Sequence, residues 1–593
     1  MKTVIYYLMK QSVRLRLVLI GAMSMVLMPL GAQTFETATE AVTNMGVGWN
    51  LGNTLDANSG SQQDLSSETY WGQPFTKPEL FKMMKEAGFG AIRVPVTWYN
   101  HMDGNGKVNE AWMNRVKEVV DYVLAQDLYC IINVHHDTGE GNTHWLHAST
   151  EVYDQTKTKY EYLWQQIAEK FRDYDQRLLF ESYNEMLDKY NSWCFATFNR
   201  TGGYNAADAT DAYNAINNYA RSFVNAVRGT GGNNVRRNLI INTYAAANGS
   251  GTWNEHLKEP LTKLTIPQGE KNHIAVEVHA YPSIVNGNTN KSISTIKSET
   301  KEMMSGLNTN FVSKGIPVII GEWSTSNVDA TNTDYDVRRD LMFQFVDDFV
   351  AQTKALNIAT FYWMGLSDGA YRSMPSFNQP DLAERIVKAY HGSSFEGKYP
   401  TADDFRTIYS VTYDRQWGEL FLYGDWNSSV PLKMSEYTGI RVELDDDYSD
   451  KLQVKVYGDK IDSSNYKEQY GPLTEGSNTS TILFDTNTVG SNVYRITLQV
   501  LELDELIEGE TITAKVISAT LLKKDGSETP GKISVGWGCT MTSESIPIAG
   551  ITSVEFNNPF HDGRIYNLNG QQVNNPGPGI YIKDGRKYVI PRK

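Results

Sequence analysis

The chain has 593 residues, too many for one compact core, and this length predicts roughly two to four domains. Its formal net charge of −14 argues against a nucleic-acid partner. Aromatic residues make up 11% of the chain, a supply that suits the flat faces of sugar rings as well as an aromatic-rich core. Cys130, Cys194 and Cys539 are too few and too scattered for a disulfide framework or a zinc site, and at most one bridge can form.

Residues 1–32 have the pattern of a secretory signal. Four basic residues precede an apolar run at 17–30, and Gly31-Ala32 supplies small residues for cleavage. The run is short for a membrane span, so we expect no stable span after the signal is removed. A signal anchor is the alternative, because the basic segment is long and Leu30 is bulky for its position before the cut.

Strand and helix patterns alternate between about residues 40 and 393. A typical helical pattern is the apolar stripe from Trp112 to Leu124, and another predicted helix opens with a capping box at Thr76 and closes at Gly88. Eight apolar, β-prone stretches are predicted as strands, at 45–50, 90–96, 129–134, 178–183, 238–243, 274–279, 317–322 and 358–363. Eight such units predict an α/β fold, a (β/α)8 TIM barrel at 33–393. A doubly wound open sheet is the alternative, but no Gly-rich phosphate loop follows the first strand.

Two of the predicted strands end in a glutamate. The first delivers Asn184 and Glu185 to the edge of the sheet, and the second delivers Glu322. Two carboxyls at the ends of different barrel strands predict a pair that converges over one sugar ring. The alternative is that each glutamate only caps a strand or joins a salt bridge in a loop.

Polar and aromatic residues also follow other strands and predict a shared cleft. They are Asn50, Arg93, His135, His136, His279, Tyr281 and Trp363. The alternatives are purely structural: Arg93 would form an ion pair, and Trp363 would pack in the core. Because adjacent strand residues point to opposite faces, His135 and His136 make a poor zinc chelate, and we predict no metal.

Together these motifs resemble glycoside hydrolase family 5, in its endoglucanase and xyloglucanase branch, over about residues 40–393. The matching runs are 46–56 (GVGWNLGNTLD), 68–72 (ETYWG), 132–137 (INVHHD), 184–185 (NE), 279–281 (HAY) and 321–323 (GEW). This chain departs from the family pattern in two places. Both would change the shape of the cleft near the leaving group, and neither removes a reacting group. Met186 stands where the family usually has proline, and the loop at 364–369 is longer than usual.

The resemblance implies Glu185 as the acid/base and Glu322 as the nucleophile. Arg93 would favour the Glu322 anion, His279 would influence the proton on Glu185, and Tyr281 would donate a hydrogen bond to the nucleophile.

The same resemblance implies sugar contacts. Asn184 would hold the 2-hydroxyl, Trp363 would form the stacking floor, and His135 would face the cleft. Asn50 and His136 are further glucan-reading positions. Trp71 and the pair His144-Trp145 would either line outer subsites or pack on the surface.

These expectations combine into a retaining endo-β-1,4-glucanase that needs no metal or cofactor and acts on a β-glucan polysaccharide. Xyloglucanase or mixed-linkage β-glucanase activity is the alternative, with mannanase or xylanase behind it. From another class, a non-catalytic glycan-binding surface protein predicts the loss of Glu185 or Glu322, and both are present.

Residues 397–548 show alternating strand patterns without a long helix, which predicts an all-β sandwich. Trp417, Trp426 and Trp537 favour a carbohydrate-binding module, and a structural spacer is the alternative.

Residues 549–593 resemble the C-terminal sorting tails of the type 9 secretion system. The alternative is a short β-module with Asn-Gly and Asp-Gly turns, and this alternative is compatible with a sorting tail. The resemblance implies the type 9 machinery as a partner and export through the periplasm of a Gram-negative bacterium. The protein would then be secreted or held at the cell surface, with the tail removed.

Overall fold

The computed structural model describes residues 35–59, 64–139, 144–192, 203–250, 255–268, 270–281, 292–325, 333–427, 430–462, 464–501 and 511–547, and the backbone of three strands beyond residue 564. The predicted signal at 1–32 lies outside these residues. The chain divides into two compact units, Met1–Pro400 and Thr401–Lys593. This division falls a few residues after the predicted domain limits at 393 and 397.

The first unit contains a closed barrel of eight parallel strands that pair in chain order, with the first strand also pairing with the last. The strands are β1 Val47–Asn50, β2 Ala91–Val94, β3 Tyr129–Asn133, β4 Leu178–Glu181, β5 Leu239–Asn242, β6 Ile274–Ala280, β7 Val318–Trp323 and β8 Ala359–Tyr362. Each one lies at a predicted strand, so the predicted TIM barrel is confirmed.

Helices follow the strands around this barrel. The α-helices of the first unit are Ala38–Met45, Pro78–Ala87, Glu110–Leu124, Thr150–Lys170, Ala206–Gly229, Glu259–Lys263, Ile293–Asn310, Thr333–Ala355, Ala370–Ser373 and Pro380–His391. Short 3-10 helices lie at Leu65–Thr69, Tyr99–His101, Gly232–Val235, Tyr244–Ala246, Glu255–Lys258, Lys271–His273 and Val312–Lys314. Among the helices of the described residues, none is long and apolar enough to cross a membrane.

The predicted capping box at Thr76 is wrong. The helix Pro78–Ala87 begins after Lys77, whose side chain makes no capping hydrogen bond, and Pro78 occupies the first helical position. Proline fits there because its missing N–H would have no partner inside the helix. The predicted end is confirmed, since Gly88 follows the last turn with a left-handed φ of 111°.

The barrel interior changes from apolar to polar along each strand, and this change positions the site. Ala91, Ile131, Leu179, Ile240, Ala275 and Ile319 form one buried layer. Because side chains on one face of a strand recur every second residue, the next inward positions are Arg93, Asn133, Glu181, Asn242, Glu277 and Gly321. The carboxyl ends of the strands therefore carry a buried polar layer beneath any substrate.

The second unit contains two antiparallel sheets that enclose an apolar core. Its strands are β9 Phe405–Tyr413, β10 Glu419–Tyr423, β11 Leu432–Lys433, β12 Tyr437–Leu444, β13 Leu452–Lys460, β14 Tyr466–Pro472, β15 Thr479–Leu483, β16 Asn492–Val493, β17 Arg495–Val500, β18 Ile512–Lys523, β19 Glu528–Pro530, β20 Ser534–Trp537 and β21 Cys539–Pro547. A five-stranded sheet has the order β14-β13-β17-β10-β20, and a larger sheet contains β15-β12-β18-β9-β21. Ala402–Asp404 forms a 3-10 helix and Thr486–Val489 one short helix. The predicted sandwich is confirmed.

In the tail, β22 Ile565–Tyr566, β23 Gly579–Lys583 and β24 Arg586–Ile590 form a three-stranded sheet. The structure therefore has the β-module that the turn pattern predicts. Of the cysteines, Cys130 is buried and free and Cys539 is half-buried and free, whereas Cys194 lies outside the described residues.

Candidate active site

Glu185 and Glu322 meet at the carboxyl ends of β4 and β7. One carboxylate oxygen of each, together with a ring nitrogen of His279, forms a group whose atoms all lie within 4.8 Å of one another. Glu322 is 5% exposed, and Glu185 is half-buried. A bulge between Val278 and His279 in the pairing of β6 with β7 places His279 opposite Glu322. The two carboxyls predicted from separate stretches thus face one small volume.

Arg93 and Tyr281 hold the carboxylate of Glu322. The Arg93 Nη1 lies 2.8 Å from Oε1, and the Tyr281 hydroxyl donates to Oε2 at 2.7 Å. Burial opposes ionisation of Glu322, but His279 and then Arg93 outweigh it and lower its pKa. Burial and the anion of Glu322 raise the pKa of Tyr281 well above its usual range, so this phenol keeps its proton. Glu322 is therefore held as an anion.

His279 carries a positive charge between three glutamates. Burial disfavours the imidazolium, but Glu322, Glu185 and Glu277 outweigh it and raise the pKa of His279 to about 10. Both ring nitrogens then donate, from Nδ1 to Glu185 at 2.7 Å and from Nε2 to Glu277 at 3.2 Å. One oxygen of Glu185 is thereby fixed in direction.

Asn184 lies 5% exposed beside these groups. Its Oδ1 accepts from Arg93 Nη2 at 2.9 Å, and its backbone N–H donates to Val134. Arg93 thereby fixes the orientation of the Asn184 amide, whose nitrogen is a hydrogen-bond donor.

Glu181 and Glu277 form a buried carboxylate layer beneath the site, and the sequence reasoning assigned no role to either. Glu181 receives two hydrogen bonds from Arg93, at 2.7 and 2.9 Å, and one from Asn133 at 3.0 Å. Glu277 lies 3.4 Å from Arg93 Nε. Burial and then the charge of Glu181 raise the pKa of Glu277 to about 7, against the opposing effects of Arg93 and His279.

A sequence signal for these two residues existed. Each is a glutamate inside an otherwise apolar strand, and each lies two positions after a residue of the buried apolar layer. A carboxyl in such a position needs a cationic partner, and Arg93 of β2 supplies it across the barrel interior.

Asn50 does not lie on the surface of the cleft, which corrects its assignment as a sugar contact. It is fully buried. Its amide nitrogen donates to the carbonyls of Gly321 at 2.8 Å and Phe361 at 3.2 Å, and its oxygen accepts from Arg93 at 3.0 Å. Asn50 therefore orients Arg93 from below and ties β1 to the neighbouring strands.

His135 and His136 are close together, so the premise that they point to opposite faces is wrong. The strand β3 ends at Asn133, and strand alternation does not apply beyond it. Their ring centroids lie 4.5 Å apart, and the His135 ring is parallel to Trp363 at 5.9 Å. Burial lowers the pKa of His135 well below its usual range, so this ring is neutral.

The rings of His136, Trp71 and Trp363 remain available to line the cleft. Trp363 is half-buried, and Trp71 is 37% exposed with its ring 5.2 Å from His136. Trp145 instead packs as part of the scaffold, because its indole N–H donates to Asp137 and Lys159 covers its ring. Burial lowers the pKa of the half-buried His144 to about 4.

Within the part of the chain that the structure describes, two groups of residues offer metal-ligand atoms within 4.8 Å of one another, Asp56-His135-His136 and Glu185-His279-Glu322. In the second group His279 is protonated at neutral pH, which removes its lone pair. In the first group, His136 Nε2 lies 3.5 Å from the buried Asp56. A reaction carried out by two carboxyls needs no metal ion at either group. The absence of a metal stays a prediction.

The comparisons with known proteins agree with this geometry. Residues 55–368 match the model of the family described as cellulase, glycosyl hydrolase family 5. Endoglucanase A of Clostridium longisporum is 38% identical over 63% of this chain and 70% of its own length.

Two similar solved structures cover the barrel. A broad specificity endoglucanase from an uncultured bacterium is 74% identical over 61% of this chain and 98% of its own, with a TM-score of 0.58. A glycoside hydrolase family 5 enzyme of Prevotella bryantii B14, solved with a xyloglucan tetradecasaccharide in a mutant form, is 42% identical over 60% of this chain and 99% of its own, with a TM-score of 0.53. The predicted glycoside hydrolase is thereby confirmed, and the chain belongs to glycoside hydrolase family 5, the cellulase family.

Proposed function

We propose that the first unit is an endo-β-1,4-glucanase that cleaves internal bonds of β-glucans with retention of configuration. The observation that carries this proposal is the separation of Glu185 and Glu322, whose facing oxygens lie within 4.8 Å. Retaining glycosidases have carboxyls about 5 Å apart, whereas inverting enzymes need roughly 6.5–9.5 Å to admit a water molecule. The facing carboxyls leave no such gap.

Glu322 is the proposed nucleophile. Its carboxylate is buried, ionised and held from both sides by Arg93 and Tyr281, so it can attack the anomeric carbon without reorganising. Asn184 donates to the 2-hydroxyl, a contact that strengthens as the oxocarbenium ion develops.

Glu185 is the proposed acid/base. His279 donates to one of its oxygens, which leaves the other oxygen to give a proton to the departing sugar and later to take one from water. The glycosyl ester on Glu322 is released in that second step, so the two displacements restore the original configuration.

The proposed substrates are β-1,4-linked glucans, including decorated ones. The 74% identical structure is described as having broad specificity, and the Prevotella enzyme was solved with a xyloglucan oligosaccharide. His136, Trp71 and Trp363 would contact the chain without enclosing it. Xyloglucanase or mixed-linkage activity is thus expected of the same site, with mannan and xylan as weaker substrates.

Hydrolysis of a polysaccharide panel tests the substrate, and the anomer formed tests the mechanism. The wild-type protein should release reducing sugar fastest from a β-1,4-linked glucan, among carboxymethyl cellulose, xyloglucan, mixed-linkage glucan, xylan and mannan. Proton NMR of the first product should show the β-anomer. A preference for mannan over every glucan would overturn the substrate, an α-anomer would overturn retention, and no hydrolysis at all would favour the non-catalytic binding protein.

We also infer that the protein is exported and that the tail is its sorting signal. This inference is supported by the signal-like residues 1–32 and by the resemblance of residues 549–593 to type 9 sorting tails. In a Gram-negative host with that machinery, deletion of residues 549–593 should leave active enzyme in the periplasm. Equal secretion of the two forms would contradict the role of the tail.

A further inference from the structure

We propose that the outer face of the five-stranded sheet in the second unit binds a neutral β-1,4-linked glucan chain. This face is defined by Glu419, Gln453, Lys455, Tyr457, Arg495, Thr497 and Gln499, with Trp426, Trp537 and Tyr470 at its rim. The proposal extends the predicted carbohydrate-binding role to named residues. The choice of a β-glucan rests on the function proposed for the barrel.

Strand register places these residues on one side of the sheet. Leu452, Val454 and Val456 of β13 point into the apolar core, so the intervening Gln453, Lys455 and Tyr457 point away from it. Antiparallel partners share a face. Gln453 pairs with Gln499, Lys455 with Thr497, and Tyr457 with Arg495. Glu419 pairs with Gln499 on one side and with Trp537 on the other. The polar residues of the outer face therefore lie on three neighbouring strands, β13, β17 and β10, with Trp537 of β20 beside them and Phe421 opposite Thr497 on the same face.

A hydrogen-bonded row crosses this face. Gln453 Nε2 donates to Gln499 Oε1 at 3.1 Å, and Gln499 Nε2 donates to Glu419 Oε1 at 2.7 Å. The Tyr457 hydroxyl also donates to Glu419. All four side chains are at least nine-tenths buried. Planar amide and carboxylate groups held in this way are preorganised to exchange hydrogen bonds with sugar hydroxyls.

Arg495 lies among aromatic rings instead of beside a carboxylate. Its guanidinium carbon is 4.3 Å from the Tyr457 ring centroid, 4.7 Å from Tyr466 and 5.1 Å from Trp426. Its Nε is buried without a hydrogen-bond partner among the described residues. Aromatic faces hold the cation but accept no conventional hydrogen bond from the Nε–H, so this donor lacks an oxygen acceptor that a ligand could supply.

Thr497 gives a second unpartnered group in the middle of the same face. Its side chain is fully buried, and its hydroxyl has no hydrogen-bond partner among the described residues. A buried hydroxyl without a partner costs free energy, so the polar groups of this face are not fully satisfied by the protein itself.

The rim supplies the rings on which sugars stack. Trp426 is 53% exposed, Trp537 is 48% exposed and Tyr470 is 51% exposed. Trp537 follows the polar row on β20, whereas Tyr470 pairs with Lys455 on β14. Trp417 lies in the turn before β10, outside this set, so it offers a matched control.

The charges favour a neutral chain. Arg495 and Lys455 supply two cations, and Glu419 and Glu468 supply two carboxylates, with Lys455 Nζ 3.0 Å from Glu468. Because these charges balance, the face offers a uronic-acid polymer no net electrostatic attraction. Hydroxyl groups can accept from Arg495 and donate to Glu419 without adding charge.

The test counts glucan sites on the full chain. In the hydrolysis-deficient Glu322→Ala background, calorimetric titration with cellohexaose should give two sites per chain, one in the barrel and one on the sheet. Arg495→Lys keeps the cation but removes the planar donors, and Trp537→Ala removes a stacking ring. Adding either substitution should weaken the site on the sheet at least about tenfold, so that the titration detects only the site in the barrel. Arg441→Lys and Trp417→Ala are the matched controls and should retain both sites.

Three outcomes would overturn the proposal. The first is a single site in the Glu322→Ala chain, and the second is an unchanged second site in both Arg495→Lys and Trp537→Ala. The third is loss of the second site in the controls, because the loss would then reflect general destabilisation. The same substitutions in the Glu322-intact chain should leave kcat/KM on soluble glucan unchanged. Absence of hydrolysis there would contradict the proposed barrel function and not the site on the sheet.

Discussion

A Cβ atom on Gly321 would lie 1.9 Å from Oε1 of Glu277, so the missing side chain at position 321 is what admits this buried carboxylate. Glu277 uses that space to reach Arg93 and His279, the two cations that contact Glu322. A backbone position on β7 thereby governs the electrostatics of the proposed nucleophile one residue away.

Gly321→Ala should displace Glu277 and disturb both cations. Because the Glu277 carboxylate is buried between Arg93 and His279, it cannot swing into solvent. We expect kcat/KM on a soluble glucan to fall by about 100-fold, the scale of a small misplacement of catalytic groups. Gly104→Ala is the matched control, since a Cβ there meets nothing within 4 Å. Equal activity of the two variants would show that Glu277 does not order the site.

Replacing each of the two proposed catalytic glutamates should produce a different defect. Glu185→Ala removes the proton donor, so polysaccharide hydrolysis should fail while a dinitrophenyl cellobioside still glycosylates Glu322. Azide should then restore turnover and give a β-configured product. In Glu322→Ala, azide replaces the nucleophile and should give an α-configured product. Azide products with the configurations exchanged would reverse the two roles.

The pH dependence of glycosylation should shift when His279 is replaced. His279 is the strongest of the groups that lower the pKa of Glu322, so its removal raises that pKa. Glu322 acts as a carboxylate, and His279→Gln should therefore lose activity at a higher pH as the solution is acidified. The acidic limb of the pH profile of kcat/KM on dinitrophenyl cellobioside measures this shift. This substrate has a good leaving group, so its cleavage does not require a proton from Glu185. His391→Gln serves as the control. The same acidic limb in the wild type, His279→Gln and His391→Gln would refute the idea that His279 lowers the pKa of Glu322.

The barrel should act on soluble substrate without the second unit. The chain divides after Pro400, and the two units have separate apolar cores. A protein that ends at Pro400 should keep its kcat/KM on soluble xyloglucan and bind insoluble cellulose less tightly, because the second binding site is no longer linked to the first. The measurement compares kcat/KM on soluble xyloglucan and the affinity for insoluble cellulose between the shortened protein and the full chain. Loss of soluble activity would show that the second unit completes the cleft.

The sequence by itself determined the strands and singled out the two glutamates proposed as the reacting groups. Eight apolar runs separated by helical patterns were enough to place every barrel strand, because parallel strands buried on both faces form near-continuous apolar runs. The same rule exposes Glu185 and Glu322, since a carboxyl that ends such a run lies at the carboxyl edge of the barrel, where the loops form a cleft.

Only the tertiary structure decided which polar residues face substrate and which lie beneath it. Asn50 and Asn184 both follow or end a strand, yet Asn50 is fully enclosed by β7 and β8 while Asn184 borders the cleft. The register shift that sets His279 opposite Glu322 depends on the pairing of two strands far apart in sequence. Depth in a closed barrel follows from strand tilt and stagger, which depend on all eight pairings together, and no local pattern specifies them.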